Sequence, residues 1–135
     1  MVKKAAETWL EKAKDDLAWT RANIREKIWS GACFTAQQAA EKSLKAYLLS
    51  KGKLVRKIHD LGSLLEICRK LDSGFEQLRE ACATLTDYYA STRYPDVSEF
   101  MEFSRRKAQE ALNFAESIVN FAEMKISKQE KNTTY

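Results

Sequence analysis

F-T-A-Q-Q-A-A-E-K-S-L-K-A-Y-L-L, Phe34 to Leu49, is the stretch that decides the fold. It contains no glycine or proline, and strong helix formers fill it. Phe34, Gln37, Glu41, Leu44 and Leu48 recur at helical spacing. The spacing predicts a helix from Phe34 to Ser50, with Gly52 as its stop. Two polar groups, Gln37 and Glu41, interrupt the apolar seam. A buried carboxylate needs a cation or donor, or it takes up a proton. Lys45 follows Glu41 in the favourable i,i+4 order. One reading is a solvated Glu41–Lys45 pair at the bundle edge. The other is an inward polar network that meets an arginine.

Working outward, similar helical stripes flank this segment. Trp9, Ala13, Leu17, Thr20, Ile24 and Ile28 line a first helix over Lys3–Ile28, with a turn expected around Gly31. Asp60 is placed to cap a short third helix, Leu61–Lys70, that buries Leu61, Leu64, Leu65 and Cys68. A fourth helix, Gly74–Thr92, carries Phe75, Leu78, Cys82, Leu85 and Tyr89. The fifth, Ser98–Ile126, carries Ala108, Ala111, Ala115, Ile118, Ala122 and Ile126, small enough to let another helix approach closely. With four Gly and one Pro in 135 residues, the pattern predicts an all-α, antiparallel bundle of four main helices plus one short helix. Residues 1–127 read as one domain and residues 128–135 as a polar, disordered tail.

Composition excludes much. The 23 basic and 19 acidic side chains give a net charge of +4, compatible with an anionic partner without demanding one. No apolar run reaches membrane-spanning length. Cys33, Cys68 and Cys82 are widely spaced and odd in number, which argues for buried thiols in a reducing, cytoplasmic setting. No metal-ligand cluster, glycine-rich phosphate loop or serine-hydrolase motif is present, so no metal or cofactor is expected. His59, the single histidine, lies in I-H-D-L after the basic loop Lys51–His59 and reads more readily as a structural group than as a catalyst.

The corner S-T-R-Y-P-D-V-S-E, Ser91–Glu99, holds the single proline, Pro95. Pro95 disfavours helix at Tyr94, so the fourth helix ends there. Arg93 then occupies the last turn, where it either caps free carbonyls or presents its fixed donors to a phosphate or carboxylate. Two aromatic features leave a choice open. Trp19 projects away from the first-helix stripe, and Phe114 and Phe121 give the fifth helix a second apolar edge. Either that helix is central, or these rings mark a dimer surface.

F-T-A-Q-Q-A-A-E-K-S-L-K-A-Y-L, then I-H-D-L-G-S-L-L, then T-R-Y-P-D, in this order, resemble the HEPN domain family (higher eukaryotes and prokaryotes nucleotide-binding domain), in its R-Y-P-D branch. The likeness runs from Glu11 to Ala122. It implies a helical bundle, commonly a homodimer, acting with a separately encoded minimal nucleotidyltransferase in a toxin–antitoxin-like pair. Many members are metal-independent ribonucleases with an arginine, a spacer of about four to six residues and a proton-transferring histidine. Here Ser98, Glu99 and Phe100 stand at those spacings after Arg93, and none is histidine. The resemblance therefore implies a nucleotide-, RNA- or anion-binding module rather than an enzyme. Arg93, Tyr94, Lys45 and His59 would contact the ligand, and Gln37, Glu41 and Asp96 would orient them. The alternatives are a degenerate ribonuclease using Arg93 with His59 or Tyr94, and a purely structural partner.

Overall fold

The computed structural model describes the backbone of residues 2–93 and 102–133, and the side chains of residues 4–92 and 102–128. Among the described residues the chain is all-α, with no strand. The helices are α1 (Val2–Arg25), α2 (Trp29–Ser50), α3 (Leu61–Leu71), α4 (Arg79–Arg93) and α5 (Arg105–Thr133), with a 3₁₀ segment, Ser73–Leu78, leading into α4.

Side-chain bonds between helices fix their directions. Thr20 meets Thr35 at 2.7 Å and Asp16 meets Lys42 at 2.7 Å, so α1 and α2 run antiparallel. Lys14 pairs with Glu123 and Arg21 with Glu116, so α1 and α5 are antiparallel too. Tyr88 bonds Glu110, and Asp72, before α4, bonds Lys125, which sets α4 against α5. α2 and α5 form the central pair, with α1 and α4 each touching both. The two inner helices supply Ala32, Ala36, Ala39, Ala40, Ala108, Ala111, Ala115 and Ala122, all fully buried. Methyl-sized side chains let two helix backbones approach closely, which is why the pair sits at the centre.

The ends differ from the sequence expectation for local reasons. α1 stops three residues early, at Arg25. Lys27 turns left-handed (φ 61°), while its N–H donates to the Ile24 carbonyl (3.0 Å) and the Ile28 N–H to the Asn23 carbonyl (2.8 Å). This is a Schellman-type stop built without glycine. Gly31 lies instead in the first turn of α2, where a Cβ would stand 2.9 Å from Ile28 Cγ2 and 3.1 Å from Asn23 Oδ1. It serves close approach and not the turn. Ile28, placed on the buried stripe by spacing alone, is exposed past the helix end. Asp60 caps α3 as expected, accepting from the Ser63 N–H at 2.9 Å. α5 begins later than expected, at Arg105, with the Lys107 N–H donating to Ser104 Oγ (3.2 Å), and its backbone stays helical past Ser127 to Thr133.

The three cysteines are buried, and burial pushes each thiol up to about 12. Phe121 is not a free edge: its ring packs edge-on against Phe75 at 4.9 Å. Phe114 also rests partly on the core, so α5 is a central helix touching several neighbours. Among the described residues no helix is long and apolar enough to cross a membrane.

Asp72 ties three elements together. Its carboxylate accepts from the Gly74 N–H at 2.9 Å, opening the 3₁₀ turn, and pairs with Lys125 at 2.8 Å. The Lys125 hydrogen bond, then the Gly74 amide, hold this carboxyl below the usual carboxylate range. A depressed folded-state value means stabilisation that is complete above the unfolded value and lost as pH falls through the folded one. The urea midpoint is expected to decline below about pH 4. Asp72→Ala should cost about 1 kcal/mol at neutral pH and shallow that decline. An acid limb identical in the variant would contradict this.

Candidate anion-binding site

The sequence singled out seven residues; of these the structure describes Gln37, Glu41, Lys45 and His59 and the backbone of Arg93, in two places. The first is a buried charged cluster on α2. Lys45 is only 2% exposed. Its ammonium donates to Glu41 Oε2 (3.0 Å) and to the Arg56 carbonyl (3.3 Å), and lies 5.5 Å from the centre of the Trp9 ring. His59 Nδ1 stands 3.3 Å from Lys45 Nζ and 3.1 Å from Glu41 Oε2. In one tautomer that nitrogen accepts from the lysine, and in the other it donates to the carboxylate. The Glu41 side chain is 12% exposed and that of His59 71% exposed, so the imidazole is the outward member. This is not a solvated edge pair. Loop 51–60 and Trp9 close over it, and the partner met by the inward network is histidine. Gln37, one turn before Glu41, is also buried, and its Oε1 has no hydrogen-bond donor among the described residues.

The second place is the opposite end of α2. Phe34 stacks on Tyr89 with ring centroids 5.4 Å apart. Five residues past Tyr88, the bonded partner of Glu110, the backbone of Arg93 comes level with Arg105, because α4 and α5 are antiparallel. The Arg93 side chain, Tyr94 and Asp96 lie outside the described residues. Arg105 places its guanidinium 4.8 Å from the centre of the Trp29 ring. With Arg106, Gln109, Glu110, Asn113 and Phe114 it lines an open groove of about 780 Å³. The amino end of α5, a helix of 29 residues, adds the positive end of its dipole. Tyr88 is pushed up to about 12 by burial and then by its bond to Glu110, so it donates to that carboxylate and fixes one wall.

Along α2, Trp29 and Glu41 are separated by about 18 Å at helical rise. Arg93 and His59 therefore stand at different ends of one chain. Trp29, Arg105 and the Arg56 carbonyl escaped the sequence reading, and Trp9 was read only as part of the first-helix stripe. They join these sites across long sequence separations and leave no spacing signal.

The HEPN domain profile matches residues 6–125, nearly the whole bundle. No curated protein matches the chain. Among solved structures, TT1696 from Thermus thermophilus is 34% identical, with a TM-score of 0.76 over 89% of this chain and 97% of that one. ST0689, described as an archaeal HEPN homologue, is 28% identical with a TM-score of 0.73 over 90% of this chain and 97% of its own. A HEPN domain protein from Thermotoga maritima, tm0613, is 27% identical with a TM-score of 0.67 over 89% and 98%. A profile spanning the helices that build both sites, joined by structural likeness over nearly the full length of each neighbour, places this chain in the HEPN domain family.

Proposed function

We propose that this HEPN protein is a nucleotide- or anion-binding and interaction module. It works as a homodimer with a separately encoded minimal nucleotidyltransferase, in a toxin–antitoxin-like pair. The observation that carries the binding reading is the antiparallel register that sets Arg93 level with Arg105 at the amino end of α5. Guanidinium groups present planar, fixed donors suited to phosphate oxygens. The free amides of a helix amino end favour the same charge. Tyr94 and Asp96 follow Arg93 directly and are proposed to complete the site. Glu41 and Lys45 on α2, with His59 beside them, form a second, supporting cluster.

Calorimetric titration of ATP, GTP and inorganic phosphate into the wild type and Arg93→Ala tests this. Binding should weaken at least about tenfold in the variant, the worth of one charge-assisted hydrogen bond of about 1.5–3 kcal/mol. Equal affinities would overturn the assignment.

Trp19, 64% exposed beside Asp15, Ala18 and Ala22 on α1, supports the dimer reading. Trp19→Glu is expected to shift sedimentation equilibrium from dimer toward monomer. A variant that stays fully dimeric would remove α1 from the interface.

A further inference from the structure

The loop between α2 and α3 is a second basic feature, remote from the arginine end. It carries Lys51, Lys53, Arg56 and Lys57, and no acidic residue before Asp60. Lys51 lies over the ring of Tyr47 at 5.8 Å. Lys53, Arg56 and Lys57 are exposed, and among the described residues no carboxylate pairs with them. Between them Leu54 is 90% exposed.

This loop is not slack. Val55, next to Leu54, is buried in the core. The Lys53 N–H donates to the Leu48 carbonyl (2.9 Å) and the Ile58 N–H to the Val55 carbonyl (3.1 Å). The buried Lys45 ammonium holds the Arg56 carbonyl at 3.3 Å. The backbone is thus pinned at its start, middle and end, while one large apolar side chain is held out in water among cations that no described carboxylate pairs.

We infer that residues 51–57 form a docking surface for an acidic protein segment, with Leu54 entering an apolar pocket and Lys53, Arg56 and Lys57 meeting carboxylates around it. An apolar centre inside a charged rim is the anatomy of a protein–protein contact. A single nucleic-acid strand would call for aromatic faces on which bases stack. Of the rings at this loop Tyr47 is buried, and the exposed one, the His59 imidazole, is tied through Nδ1 to Glu41 and Lys45. A backbone already fixed in shape loses little freedom on binding. The surface lies at the far end of α2 from Arg93, so the inference goes beyond the nucleotide reading and stands independently of it.

The test titrates the full chain into a fluorescein-labelled peptide of repeated Glu-Leu-Glu-Glu units and, in parallel, a uridine oligonucleotide of equal charge, both followed by anisotropy. Saturable peptide binding that weakens with salt is expected. It should fall at least about tenfold in Lys53→Glu/Lys57→Glu and about fivefold in Leu54→Ser. All three positions are exposed, and unchanged circular dichroism will confirm that the variants fold. Absence of saturable peptide binding, binding indifferent to Leu54, or tighter capture of the oligonucleotide by the same residues would overturn the inference.

Discussion

Replacing Lys45 with alanine is expected to cost the fold about 3–5 kcal/mol, read as a lower urea midpoint at unchanged slope. The magnitude follows from what the ammonium does. It neutralises Glu41, whose side chain is 12% exposed, and it satisfies the Arg56 carbonyl that anchors loop 51–60. Its removal leaves a carboxylate facing low dielectric with only an exposed imidazole beside it. It also strips a packed stem from the Trp9 ring. The penalty belongs to the orphaned charge and not to the attraction itself. Lys45→Met/Glu41→Gln, which removes both charges and keeps the volume, should therefore recover most of the loss. A cost under about 1 kcal/mol for Lys45→Ala would be that of an exposed pair and would refute the buried cluster.

Phe75→Ala is expected to cost a similar amount, about 3–5 kcal/mol. Phe75 is fully buried on the 3₁₀ turn, with Tyr47 of α2 at 4.5 Å and Phe121 of α5 at 4.9 Å between ring centroids. Its deletion opens a cavity where the entry to α4 meets both central helices, and a rigid three-ring cluster relaxes into such a void poorly. Thermal unfolding measures this, with Leu54→Ala as a surface reference expected within about 0.5 kcal/mol of wild type. A Phe75→Ala protein as stable as that reference would mean that the cluster is not cooperative.

The bundle was legible because its helices bury what their spacing predicts. Leu61, Leu64, Leu65 and Cys68 face inward on α3, and Ala108, Ala111, Ala115, Ile118 and Ala122 on α5. The misplaced ends have specific causes. Gly31 invited a turn because glycine commonly ends helices, whereas Lys27 accepts the left-handed position and Gly31 is kept small by Asn23 and Ile28. Phe75 and Leu78 fit an α-helix as well as a 3₁₀ turn, because three-residue spacing does not separate the two over a single turn. The site was legible only in part. The i,i+4 order of Glu41 and Lys45 is local and readable. Their burial is not, because its cover comes from Trp9 and a loop that folds back from beyond Gly52. The approach of Arg105 to Trp29 is a contact between helix ends far apart in the chain, and no local pattern encodes it.

The central claim is that an anionic ligand binds where α4 ends and α5 begins. Titrating ATP into the isotope-labelled chain and following backbone amide resonances tests it most directly. The account predicts that Arg93, Arg105, Arg106 and Lys107 and the Trp29 indole shift together and saturate with one dissociation constant. Shifts confined to Glu41, Lys45 and His59, or no saturable shift at all, would contradict it.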